Sequence, residues 1–114
     1  MTQVRMTEVP GYYHLRIEGH AGYGADHQLP EGHDIVCAAA SMLGQTAVQR
    51  VLDMAEEGKL GIHEMVVKPG LIDIKVIPKG AYKEEIKTTA KTVRTGFELL
   101  AKAYPSYVFL GWEI

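Results

Sequence analysis

An α+β domain of ββαββα order, an antiparallel sheet packed with two helices, is what the 114-residue sequence predicts, and three observations predict it. Two pairs of segments alternate apolar with polar residues around a Pro-Gly turn. Two longer segments repeat apolar residues at helical spacing. The order hairpin then helix occurs twice. The length suits a single domain, 1–114, with one core.

The first hairpin is read from Val4 and Met6, then Tyr13, Leu15 and Ile17 alternating with His14, Arg16 and Glu18, with Pro10-Gly11 between the runs. Residues 21–33 turn to Gly, Pro, Asp, His and Gln and keep neither period, so a long loop is expected. Asp34 then caps a helix of about 34–57, with Val36, Ala40, Leu43, Ala47, Val51 and Met54 among its apolar positions and Gly58 near its end. No charge occurs between Ile35 and Gln49, so this helix is expected to be buried all round. One sheet cannot cover both its sides, which calls for the second helix or another subunit and makes a homodimer the expected state.

Met65 and Val67, Pro69-Gly70, and Ile72, Ile74 and Val76 make the second hairpin. Ile86, Ala90, Val93, Phe97, Leu100 and Tyr104 form the cleanest helical stripe, which Pro105 ends. Lys79, Lys83, Lys87, Lys91 and Arg94 follow its outer side and read as a solvated face. The closing YVFLGWEI reads as a short final strand or as a tail packed on a partner.

A formal charge of −2 and a pI near 6.2 exclude an overall basic field, so no direct nucleic-acid binding is expected. Cys37 is the sole cysteine, which excludes an internal disulfide, and MTQVRMTEV lacks the apolar run of a signal peptide. The uncharged stretch Ile35 to Gln49 is 15 residues, short of the roughly 20 that a membrane span needs. A cytoplasmic protein with no membrane partner is expected.

The chemistry concentrates in GHAGYGADHQLPEGHDIVCAAASML, residues 19 to 43. Cysteine reacts as its thiolate, and the first turn of a helix favours that form through unpaired N–H groups and the helix dipole. Cys37 lies there, three residues after the cap. His20 leaves the end of the second strand, from which the loop can fold it back toward the thiol. Such a pair makes an activated nucleophile, and backbone N–H groups at the helix start offer themselves to an oxyanion. A lone cysteine among alanines is nonetheless more often a small buried hydrophobe. His20, His27, His33 and Cys37 also provide zinc-type ligands, at spacings that match no common finger. An exposed thiol sensor without a histidine partner is a further reading.

GHAGYG followed by GHDIVCAAASML resembles the signature of the ribosomal-processing cysteine protease family, Prp or YsxB-like. The match is specific over Gly19 to Ala21 and Gly32 to Leu43, and GFELLAKAYPSYV is similar to the family's usual ending. The resemblance implies that Cys37 is the nucleophile and His20 its base or ion-pair partner, with Gly19, Asp34 and Ser41 at supporting positions and no metal or cofactor. The implied partner is a protein substrate: the N-terminal extension of a bacterial large-subunit ribosomal protein, or, as in phage-associated relatives, a capsid or scaffold protein. Asp34 is also suited to capping alone, and Ser41, one turn after Cys37, to simple packing. Tyr23, inside the loop, is a candidate substrate contact. Sixteen residues separate His20 from Cys37, a few more than is usual in the family, and AAAS stands where members have AAVS.

Overall fold

The computed structural model describes residues 1–113. Strands β1 (Thr2–Val9) and β2 (Tyr12–Glu18) form the first hairpin. A one-turn helix α1 (Tyr23–Asp26) lies in the loop before α2 (Ile35–Glu56). β3 (Leu60–Lys68) and β4 (Leu71–Pro78) form the second hairpin, and a 3-10 turn at Gly80–Tyr82 leads into α3 (Lys83–Ala103) and β5 (Val108–Glu113). The ββαββα order is the one the sequence predicts, and the closing segment is a strand.

The sheet runs β3-β4-β2-β1-β5. The hairpins and the central β2–β4 pair are antiparallel, with Val4 opposite Ile17 and Leu15 opposite Ile74. β5 adds to β1 in parallel, Val4 opposite Leu110. The sheet is therefore antiparallel over four strands with a parallel edge. That edge follows from α3 carrying the chain back across the sheet before β5 begins, a connection a tight hairpin cannot make.

Both helices cover one face. Val51 and Met54 of α2 and Ile86 and Val93 of α3 meet Met6, Leu15 and Ile74 around a common apolar pocket, and Phe97, Val4 and Val36 are fully buried. Close approach is secured by two glycines. A Cβ on Gly44 of α2 would stand 2.7 Å from Ile72 Cδ1 and 2.9 Å from Ile17 Cδ1, and one on Gly96 of α3 would stand 2.6 Å from Leu43 Cδ2.

The opposite sheet face is polar. There Asp73 is buried under His14, whose Nε2 is 2.6 Å from Oδ1, and under Arg16, which donates to Oδ2. Burial pushes the Asp73 pKa up, but the bonds from His14 and Arg16 outweigh it and hold the carboxyl below its ordinary value.

α2 is not buried all round within one chain. Val36, Ala40, Gly44, Ala47, Val48 and Met54 face the core, whereas Ile35, Met42 and Leu52 are exposed. The sheet and α3 reach only its inner side. By length and composition alone α2 would suit a membrane span, but its buried side is that of a core helix.

Candidate active site

The site begins where β2 stops. Gly19 has φ +86°, a backbone region that L side chains rarely adopt, and a Cβ there would lie 2.8 Å from the Met1 carbonyl oxygen. Its N–H donates to the Gly70 carbonyl at 3.0 Å, and its own carbonyl accepts from the Thr2 hydroxyl at 3.3 Å. The exit from β2 is thus fixed to β1 on one side and to the β3–β4 turn on the other. His20, the next residue, is exposed, and its ring lies beside that turn, with Nε2 3.6 Å from where a Gly70 Cβ would be.

One residue later the chain meets the thiol: the Ala21 N–H donates to Cys37 Sγ at 3.1 Å. Cys37 is half-buried in the first turn of α2. His20, Cys37, Gly19 and Ser41 line one open cleft of about 350 Å³. No hydrogen bond joins His20 to Cys37 among the described residues.

Asp34 anchors this corner. Its Oδ1 accepts from the N–H groups of Val36 at 3.0 Å and Cys37 at 2.9 Å, which is the helix cap the sequence predicts, and its Oδ2 accepts from Gly24 N–H at 2.9 Å. One carboxylate therefore ties α1 to the start of α2. Burial pushes the Asp34 pKa up, but the bonds from Gly24, Cys37 and Val36 together exceed that effect and hold it below the ordinary carboxylate value. The same bonds correct one expectation. The Val36 and Cys37 amides belong to the Asp34 side chain and the Ala38 amide to the Asp34 carbonyl, at 3.0 Å, so these helix-start N–H groups are already engaged.

Tyr23 is not among the cleft residues. Its ring stacks on His27 at 4.0 Å between centroids and meets Tyr104 and Tyr107 edge-on at 5.5 and 5.3 Å. The Asp26 carboxylate near Tyr107 raises the Tyr107 phenol pKa above its ordinary value. The 21–33 segment is thereby pinned to the end of α3 by aromatic packing that the sequence reading assigned to substrate. His27 is drawn into the same cluster, its Nδ1 2.8 Å from the Tyr23 carbonyl. Among the described residues no three His, Cys, Asp or Glu side chains gather as a metal site.

The rest of the cleft wall comes from residues the sequence reading did not assign to the site: Thr2 and Ile17, Ala40 and Gln45 of α2, and Val67 to Ile72 around the second turn. Ala21 meets the thiol through its backbone N–H alone, a contact that its place in the Gly-His-Ala motif does not reveal.

The family model described as cysteine protease Prp matches residues 1–109. No curated protein matches the chain. Among solved structures, the chain resembles the essential ribosomal processing protease Prp from S. aureus in complex with a covalently linked product peptide, at 20% identity and TM-score 0.73 over 99% of this chain and 100% of that one. The same S. aureus protease with a substrate peptide matches at 19% identity and TM-score 0.67, over 99% and 100%. SMU.848 from Streptococcus mutans matches at 24% identity and TM-score 0.67, over 99% and 94%.

Proposed function

The chain belongs to the cysteine protease Prp family, and from that premise we propose that it is an endopeptidase with Cys37 as nucleophile and His20 as its proton partner. Its substrate on this reading is the N-terminal extension of a bacterial large-subunit ribosomal protein, cut in the cytoplasm. The observation that carries the reading is that the one thiol of the chain opens into the same cleft as His20 while a backbone N–H contacts its sulfur. The S. aureus relative, described as a ribosomal processing protease and seen with substrate and product peptides, supports the choice of substrate.

In this mechanism a peptide lies along the cleft between α2 and the β3–β4 turn. Cys37 gives its proton to His20 and attacks the scissile carbonyl. The tetrahedral intermediate collapses, the amine leaves with the proton from His20, and water hydrolyses the thioester with His20 as base. The exposed His20 side chain has room to turn from Gly70 onto the thiol as the peptide enters. Ser41, exposed on the same wall, is positioned to contact the peptide, and Asp34 is a positioning residue that holds the Cys37 turn.

The exposed Ile35, Met42 and Leu52 on the outer side of α2 support a homodimer through that helix. Sedimentation would show the wild type as a dimer and Met42→Glu as a monomer; a monomeric wild type would remove this part of the reading.

The direct test is cleavage, read by mass spectrometry, of peptides spanning such N-terminal extensions. The wild type should cut at one bond, and Cys37→Ala should lose at least about 10⁴-fold in rate, with His20→Ala also severely impaired. Cleavage that persists in Cys37→Ala would rule the mechanism out, and a wild type that cuts only capsid-type peptides would replace the substrate.

A further inference from the structure

We propose that the backbone N–H of Ala21 is a catalytic donor, one that faces the Cys37 sulfur in the free enzyme and passes to the substrate's carbonyl oxygen as the tetrahedral intermediate forms. The inference rests on Cys37 being the nucleophile and adds the group that stabilises the charge created by its attack.

Three observations carry it. The Ala21 N–H donates directly to the reacting atom, at 3.1 Å. The amides of Val36, Cys37 and Ala38, which a helix start would ordinarily offer, are committed to Asp34. And the Ala21 amide is held from both sides. Upstream, Gly19 is bonded to Gly70 and Thr2. Downstream, Gly24 is bonded to Asp34, and Tyr23 is packed between Tyr104 and Tyr107. Ala21 itself is only 3% exposed. A donor that is fixed before the reaction costs no reorganisation when charge develops, which is the condition for a large electrostatic contribution.

The step balances without an added reagent. Sγ supplies the electron pair of the new S–C bond, and the carbonyl π pair moves onto oxygen. That oxygen is two bonds from the sulfur, so a donor touching the sulfur is within reach of it. On collapse the pair returns to re-form C=O, the C–N bond breaks, and the amine takes the proton that His20 holds. The geometry also explains why Ala21 follows Gly19-His20 directly: one turn delivers the base to the cleft and the amide to the sulfur.

The experiment replaces the His20–Ala21 amide by an ester in the full chain, assembled by ligation at Cys37, so that only the N–H is lost. Against the unmodified chain assembled in the same way, the ester chain should lose about 100- to 1000-fold in kcat with KM nearly unchanged. Its affinity for a peptide aldehyde, which forms a tetrahedral adduct on the thiol, should fall by the same factor. In parallel, the Ala21 amide proton of the wild type should shift on adduct formation, a readout that does not depend on the ester chain folding. An ester chain as active as the unmodified one, an equal loss in binding of substrate and aldehyde, or an unmoved Ala21 amide proton would each overturn the proposal. If the unmodified chain cuts no peptide, the protease reading itself fails and this inference with it, an outcome distinct from activity that survives the ester.

Discussion

The two long helices lie side by side on one face of the sheet, yet they are built on opposite plans. α3 is two-sided: Ile86, Phe97 and Leu100 are buried, while its outer side carries Lys87, Lys91 and Glu98. α2 carries apolar residues on both sides, with Ile35, Met42 and Leu52 left in the open among the polar Ser41, Gln45, Thr46 and Gln49. α3 also bears a buried ion pair, Arg94 donating to Glu8 at 2.8 Å, with Trp112 stacked over the guanidinium at 5.5 Å. Arg94 Nε comes within 3.2 Å of Glu98 but is not aligned to donate to it. α2 pairs Gln49 and Arg50 with Asp53 along its own surface, and at its start Asp34 and Ala21 converge on Cys37. The difference shows a division of labour: α3 closes the core and meets water, while α2 presents the half-buried Cys37 at its start and an outer surface that one chain does not cover.

Variants can break or sharpen this contrast. Glu8→Ala strips Arg94 of its buried partner and should cost about 3 kcal/mol in denaturant unfolding; a loss under about 1 kcal/mol would mean that α3 docks by its apolar stripe alone. The glycines test closeness of packing. Gly44→Ala forces a methyl onto Ile17 and Ile72, which the sheet holds in place, and should destabilise by about 1–2 kcal/mol. Gly96→Ala meets only the half-buried Leu43, and the gain in helix propensity of about 1 kcal/mol should bring its net cost near zero. Equal costs at the two sites would show that α2 sits no more tightly than α3.

At the capped end, Asp34 has a lowered folded pKa, so its carboxylate stabilises the fold above the ordinary value of 3.8 and loses that contribution as pH falls through the lowered one. Wild type should exceed Asp34→Asn by about 1 kcal/mol at pH 7, and the gap should narrow in acid below about pH 4. A gap independent of pH would reduce Asp34 to a neutral acceptor. The smallest effects belong to the outer faces. Lys87→Ala on α3 and Met42→Glu on α2 should each leave single-chain stability within about 0.5 kcal/mol, so that any larger change in Met42→Glu, measured at several protein concentrations, reports association.

Much of this molecule was written in local pattern. The alternation in both hairpins, the stripe of α3 and the Asp34 cap were legible because each depends on neighbours within a few residues. The Gly-His-Ala and Asp-Ile-Val-Cys motifs likewise marked the cleft from sequence, since strand end and helix start are local addresses. Tertiary structure decided what local pattern cannot encode. It put both helices on one sheet face, added β5 in parallel beside β1, and brought the β3–β4 turn against His20, each a pairing of segments far apart in the chain. It turned Tyr23 toward Tyr104 and Tyr107, because an aromatic ring in a long loop packs wherever apolar surface is nearest. And it selected the Ala21 amide as the group touching sulfur, because a backbone N–H is the same in every residue but proline and only its place in space distinguishes it.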